Sequence, residues 1–448
     1  MFRRTAQISL SGQKILLKQT QPSSFEENED FDHSLLDNYK GDVFDGCLHN
    51  SVKGIKLQHK RSQSSGGELA PQNTEASVLK RIRSCSNSAD ECAVITEPAR
   101  AKHQTPVDLW CDPANPRVIS FENILDAADR IKGTIVVTPC TRSEVLSKEL
   151  GMEIYFKKEF LQVTGSFKER GGRNALSQLS LKQMKQGVIA ASSGNHALGL
   201  AYHGRQMSIP VTVFTPKSAP TQKVSMCRQY GATVLVDGED LEETKKLAMK
   251  MANKKCLTYI NGFDHPHILA GQGTVGLEIA EQIGHFDAII IPVGGGGLLA
   301  GTGLAVKTLF PNVIVIGVET EICPSYTTAL ENGCPTFTQP TGPTLADGLS
   351  APVVGVNSIE TVKMYKVVDK MVRVSEDDLS LAILRLLEVE KAVVEGAGAA
   401  GLAAVLSAQL PELKGKRVVI PLTGGNIDMA KLGQSIQRGL ALTMRSDK

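Results

Sequence analysis

A charge imbalance is missing from this 448-residue chain, in which 49 lysines and arginines stand against 47 aspartates and glutamates. A net charge so close to zero offers no global field to a nucleic acid or a membrane surface. Long apolar runs are missing too, since none reaches the roughly 18 to 20 residues that a membrane-crossing helix needs. Paired cysteine motifs are absent: none of the nine cysteines forms a C-x-x-C, and the nine histidines show no ligand spacing around them. Zinc is thereby disfavoured, and free thiols in a reducing compartment are expected. Cys85 and Cys92 come nearest to a pair, inside a segment without a folding pattern. What remains is a soluble protein with an ordinary apolar fraction of 42%, expected in the cytoplasm, without a nucleic-acid or membrane partner.

Sustained periodicity is absent from residues 1–117. Stretches such as "PSSFEENEDFDHS" (22–34) and "SCSNSADEC" (84–92) are polar and charged. They bury too little apolar surface to offset the entropy of ordering, so a disordered N-terminal extension is expected. Its first 25 residues carry Arg3, Arg4, Lys14 and Lys18 without an acidic residue. That pattern weakly resembles a mitochondrial transit peptide, the alternative to a cytoplasmic location. "RSQS" (61–64) and "RSCS" (83–86) repeat a basic-then-serine pattern. Phosphorylation of Ser64, Ser84 or Ser86 would suit a phosphoserine-dependent adaptor.

After residue 117 strand and helix patterns alternate. Apolar β-rich runs occur at 154–156, 187–193, 211–216, 233–237, 257–261, 287–294, 313–319 and 417–425, with helical patterns at 241–255 and 274–284. Several runs are continuously apolar, as in parallel strands covered on both faces. An α/β fold with helices on both faces of mostly parallel sheets follows. Ligands in such folds bind beyond the carboxyl ends of the strands, so the strand-to-helix turns carry the information.

Three turns stand out. In "ASSGNHALGLA" (191–201), small residues leave amides at a helix start free to receive a carboxylate. An ordinary helix cap explains the same residues. In "IPVGGGGLLAGTGLA" (291–305), four glycines sacrifice entropy and packing for close approach, which suits a phosphate at the helix N-terminus. A flexible turn is the plainer reading. "PLTGGN" (421–426) offers Thr423 as a neutral hydroxyl beside two glycines, or simply a tight turn. Upstream, "LQVTGSFKERGGRNALS" (161–177) places Lys168 after Gly165, Ser166 and Phe167. A phosphate cradle, a carboxylate nest and a lysine among small residues suit a cofactor bearing an aldehyde and a phosphate. Lys168 would form a Schiff base with that aldehyde once desolvation lowers its pKa. Pyridoxal 5'-phosphate meets those requirements.

"GSFKERG", "SSGNHA", "GGGGLLAG" and "LTGGN" occur here in the order and spacing of the serine/threonine dehydratase family. That family belongs to the fold-type-II pyridoxal-phosphate enzymes and includes serine racemase, and the resemblance covers about residues 118–445. It implies a tryptophan synthase β-like fold of two open, twisted, mostly parallel sheets. Lys168 would carry the cofactor, with Phe167 packing nearby. Asn195 would bond the cofactor's 3-hydroxyl, and the amides of Gly294, Gly295, Gly296, Gly297 and Leu298 would hold its phosphate. Thr423 would face the ring nitrogen, and Ser192, Ser193, Gly194, Asn195 and His196 would receive the substrate carboxylate. The implied reaction is β-elimination of water from L-threonine or L-serine, giving 2-oxobutyrate or pyruvate and ammonia. Residues 118–186 and 258–448 would form the large domain, 187–257 a small hinged one, and the assembly would be a homodimer or homotetramer.

Two departures matter. Ser193 matches the second acid/base of serine racemases, which makes racemisation the rival activity. Those racemases also bind a divalent cation near the strand end at "GVETEICPS", where Glu319 matches one ligand but Ser325 replaces an aspartate. β-Replacement enzymes fit the turns less well, and an inactive scaffold would be expected to lose the lysine or the glycine loop. The chain ends soon after Asn426, at residue 448, so no isoleucine-sensing domain of the biosynthetic type is expected.

Overall fold

Strands that are apolar on both sides need covering on both sides, and two parallel sheets satisfy that need. The computed structural model describes residues 8–10, 13–15 and 108–446, except Ser193 and Pro220. Arg3, Arg4 and Lys18 of the expected transit-like segment, the serine repeats, Cys47, Cys85, Cys92 and Ser193 lie outside the described residues. The chain divides into units 1–102 and 103–448. Of the first, a short antiparallel hairpin is described, β1 (Ile8–Leu10) against β2 (Gln13–Ile15), in a stretch expected to lack regular structure.

In the second unit the strands are β3 (Cys140–Arg142), β4 (Glu153–Lys157), β5 (Val188–Ala191), β6 (Val211–Thr215), β7 (Thr233–Val236) and β8 (Thr258–Tyr259). They continue with β9 (Ala288–Pro292), β10 (Ile314–Thr320), β11 (Lys370–Val374) and β12 (Arg417–Pro421). The six-stranded sheet runs β11-β10-β9-β12-β4-β3 and the four-stranded one β7-β6-β5-β8. Every pairing within them is parallel except β3 with β4.

The helices are α1 (Phe121–Ile131), α2 (Glu144–Leu150), α3 (Lys168–Ser177), α4 (Leu181–Gln186), α5 (Asn195–Gln206), α6 (Thr221–Gln229) and α7 (Leu241–Lys255). After them come α8 (Pro266–Ile283), α9 (Gly297–Leu309), α10 (Ser325–Asn332), α11 (Val356–Tyr365), α12 (Glu376–Glu390), α13 (Gly396–Leu406) and α14 (Met429–Ser446). Side-chain alternation assigns the covering. Ile290, Ile316 and Ile420 join the core beneath α12 and α13. Their neighbours Ile289, Val315 and Val419 join the core beneath α8 and α9. In the smaller sheet Val188 and Val213 pack with α5, and Ile189 and Phe214 with α7.

Helix α8 starts earlier than its sequence pattern, at Pro266, with His265 as N-cap. Its first turns are rich in small residues, which hide the apolar period and admit α3. A Cβ on Gly271 would come within 2.7 Å of the Arg170 carbonyl. The boundary expected at residue 117 also moves. Asn357 of α11 donates to the Trp110 carbonyl at 2.7 Å and accepts from the Arg117 amide at 2.6 Å. Residues 108–117 are therefore a surface strap, pinned at Trp110 and Arg117. They escape sequence reading because turns, having no period, are held here by side chains remote in the chain.

Candidate active site

Lys168 opens α3 behind Phe167, which offers no side-chain cap. The loop before it is fastened to the segment leaving β12. Ser166 bridges Gly424, the Phe167 amide donates to the Thr423 carbonyl at 3.0 Å, and the Gly425 amide to the Gly165 carbonyl at 3.0 Å. Gly165 has φ +76°, and a Cβ there would come within 2.6 Å of the Asn426 side chain, so the turn demands glycine. The Lys168 Nζ donates to the Gly262 carbonyl at 2.7 Å and lies 5.1 Å from the Phe167 ring centre. Burial lowers its pKa to about 8, with the Glu395 carboxylate acting against that shift. About a tenth of this amine is therefore unprotonated at pH 7, far more than for a lysine in water.

The four glycines join β9 to α9. Gly296 caps α9 at φ +92° without a side-chain bond, and the first helical bond is Ala300 to Gly296. The amides of Gly297, Leu298 and Leu299 thus precede the helical ladder and are free to take an anion. Side chains behind the loop leave no room for a Cβ. One on Gly295 would overlap the Phe263 ring, and one on Gly296 would overlap Tyr326 and Ser358. Gly294 meets the Gly348 carbonyl in the same way. These residues fit a phosphate.

At the start of α5, Gly194 is an uncapped N-cap, and the first helical bond is Leu198 to Gly194 at 3.3 Å. The Ser192 hydroxyl accepts the Gly194 amide at 3.3 Å. His196 contacts the Ile260 carbonyl through Nε2, while its buried Nδ1 has no partner. Burial, aided by Lys168, pushes His196 down to about 3, so its ring is neutral. Thr423 is buried beside the lysine loop. The structure thus gathers Lys168, Phe167, Asn195, Thr423 and the Gly165 turn, with Gly262 and the glycine loop linked through adjacent Phe263.

The sequence matches the family of pyridoxal-phosphate dependent enzymes over residues 131–424. The chain belongs to that family. An L-threonine ammonia-lyase of Thermotoga maritima is 42% identical over 328 residues, covering 73% of this chain and 80% of the relative. The catabolic L-threonine dehydratase TdcB of Escherichia coli is 37% identical over 317 residues, covering 70% of this chain and 95% of its own length. Among solved structures, the processed threonine deaminase isoform 2 of Solanum lycopersicum superposes with a TM-score of 0.67 at 31% identity, covering 75% of this chain and 98% of that one. The serine racemase of Dictyostelium discoideum gives 0.65 at 35% identity, covering 69% and 99%. The architecture is the fold-type-II one expected.

Sequence reading of this pyridoxal-phosphate enzyme misses Glu395, the N-cap of α13. Its carboxylate accepts the Asn195 side-chain amide at 2.6 Å, and Asn195 in turn accepts from Asn426 at 2.8 Å. Burial pushes Glu395 up to about 7, although Lys223, Asn195 and Lys168 pull the other way. The available signal is a lone acid in the otherwise apolar "VVEGAGAAG". At the mouth, Lys223 and Lys431 approach Asp347 at 3.5 and 3.6 Å.

The residues after Lys168 are anchors. Arg170 is fully buried and binds Glu159 at 2.6 and 2.8 Å and Glu278 at 2.7 and 2.8 Å. Lys157 joins Glu278 at 2.5 Å. Glu169 accepts the Thr164 amide and meets His203 of α5 at 3.1 Å. Lys168 is thus fixed between a brace toward β4 and α8 and a brace toward α5.

Glu319 is engaged by donors of the protein itself. Its carboxylate caps α10, accepting the Tyr326 amide at 2.9 Å and the Thr327 amide at 3.3 Å. The Arg373 guanidinium stands 4.0 Å away, and Ser325 supplies no carboxylate. Among the described residues no group of three or more His, Cys, Asp or Glu side chains could hold a metal ion.

Proposed function

We propose that this enzyme is an L-threonine and L-serine ammonia-lyase, releasing water and then ammonia to leave 2-oxobutyrate or pyruvate. One observation carries the reading: the Lys168 amine, with its pKa lowered, opens α3 beside Asn195 and Thr423, and Phe263 links its Gly262 partner to the glycine cradle. The two threonine-lyase relatives support the same reaction class. Bound there, pyridoxal phosphate supplies an aldehyde for the Lys168 amine and a ring that withdraws electrons from the substrate's α-carbon.

The chain's residues do the rest. Amides of Gly294 to Leu298 would hold the phosphate, and Asn195, oriented by Glu395, would bond the 3-hydroxyl. Thr423 would offer the cofactor's ring nitrogen a neutral hydroxyl that holds no proton there, which would favour prompt loss of the β-hydroxyl. The turn from Ser192 to His196 binds the substrate carboxylate. The Lys168 amine, when free, would take the substrate's α-proton as general base. Residues 187–257 act as a small domain that closes on the remainder and excludes water, in a homodimer. A second reading, serine racemisation, rests on Ser193 and the racemase-like fold, with the Ser193 hydroxyl reprotonating the α-carbon from the face opposite Lys168.

Purified holoenzyme decides between them. 2-Oxobutyrate from L-threonine, pyruvate from L-serine and D-serine by chiral separation are measured together. The keto acids should dominate; D-serine formed faster than pyruvate would overturn the choice.

A further inference from the structure

We propose that residues 108–117 are a positioning strap for the catalytic loop 261–265, with Trp110 as its anchor. The inference rests on the reading of Lys168 and the glycine cradle given above. The loop touches both halves of the site: the Gly262 carbonyl takes the Lys168 Nζ at 2.7 Å, and Phe263 backs Gly295 and Gly297 so closely that neither could carry a Cβ. Asn261 ties the loop internally, its Oδ1 accepting the amides of Phe263 and Asp264 at 3.0 Å each.

The strap grips this loop from behind. The Trp110 ring packs at a tilt against His265 at 4.6 Å and His267 at 5.2 Å, and the Arg117 guanidinium covers it at 4.3 Å. Fully buried Asn357 joins the pieces, one amide nitrogen donating to the carbonyls of both Trp110 and Asp264 at 2.7 Å. The Asp264 carboxylate then accepts the amides of Val356 and Ser358 at 3.1 Å each, fixing the start of α11. Ser358 itself lies behind Gly296. Displacing Trp110 therefore loosens the loop, and with it one lysine partner and the rear wall of the cradle.

The test uses full-length holoenzyme. Trp110→Ala should weaken pyridoxal-phosphate affinity and lower kcat about tenfold each, as a sub-ångström misplacement can. KM for L-threonine should stay within about twofold, because the carboxylate turn lies on another element. Trp110→Phe, which keeps a ring on the two histidines, should recover most of both losses. Arg117→Gln leaves the ring in place and should shift both by about threefold, the scale of one cation–π contact; it carries the test should Trp110→Ala fail to fold. Since Trp110 is the only tryptophan, quenching of its emission reports cofactor loading directly in wild type and Arg117→Gln.

A folded Trp110→Ala with affinity and kcat within about twofold of wild type overturns the proposal, on the scale of ordinary surface substitutions. So does a loss of kcat that merely follows the folded fraction while affinity holds. If wild type itself neither binds pyridoxal phosphate nor forms a keto acid, the functional reading falls instead.

Discussion

Glu395→Gln should remove a pH dependence of stability that the buried carboxyl imposes on the site. The carboxyl is buried and pushed up to about 7 from an ordinary 4.5. A raised carboxyl contributes stability that is fully present below the unfolded value and lost as pH rises through the folded one. The full difference is worth about 3 kcal/mol at 1.36 kcal/mol per pH unit, of which about 2.5 kcal/mol falls between pH 5 and pH 8. Glutamine still accepts the Asn195 amide through its carbonyl but never ionises. Melting of wild type should therefore drop relative to Glu395→Gln by about 3 °C on going from pH 5 to pH 8. The Lys168 amine should also titrate lower in the variant apoenzyme, because Glu395 holds it up. Scanning calorimetry at the two pH values makes the comparison. Parallel pH slopes in the two proteins would refute the argument, since the burden of burying this charge would then not exist.

Lys168→Ala should cut turnover at least about a thousandfold, since one amine serves as cofactor anchor and general base; keto-acid assay measures it, and the visible band of lysine-bound cofactor should vanish. Gly296→Ala should abolish tight cofactor binding, because its φ of +92° and the overlap with Tyr326 and Ser358 leave a Cβ no place; equilibrium dialysis reads the loss. Chelation of the purified enzyme with EDTA should leave kcat and melting temperature unchanged, because Glu319 is already engaged as the cap of α10. A fall restored by Mg²⁺ would contradict that.

The interior of the fold is legible in the sequence because β5, β9 and much of β12 are continuous apolar runs, the pattern of a strand covered on both faces. The two edges are not. β3 and β11 carry exposed Arg142 and Arg373 where an interior strand would carry apolar groups. Lys168, Asn195, Thr423 and the glycine loop are legible because they stand at strand-to-helix turns. Glu395 is marked as a lone acid among apolar residues, and Glu169 and Arg170 stand in no sequence pattern that singles them out. Only their burial, and partners such as Glu278 and His203 far along the chain, reveal what they do. The strap at 108–117 is hidden for a related reason, since Asn357 holds it from across the sequence.

The buried cluster around Arg170 bears on how the cofactor is acquired. Every charge in it is answered by protein: Arg170 by Glu159 and Glu278, and Lys157 by Glu278. The helix that presents Lys168 is therefore already rigid before any ligand arrives. Cofactor loading is then docking into a finished socket rather than folding coupled to binding. Its heat-capacity change should reflect little more than the surface of the ligand itself. Its rate should scale with cofactor concentration without saturating at a slow folding step.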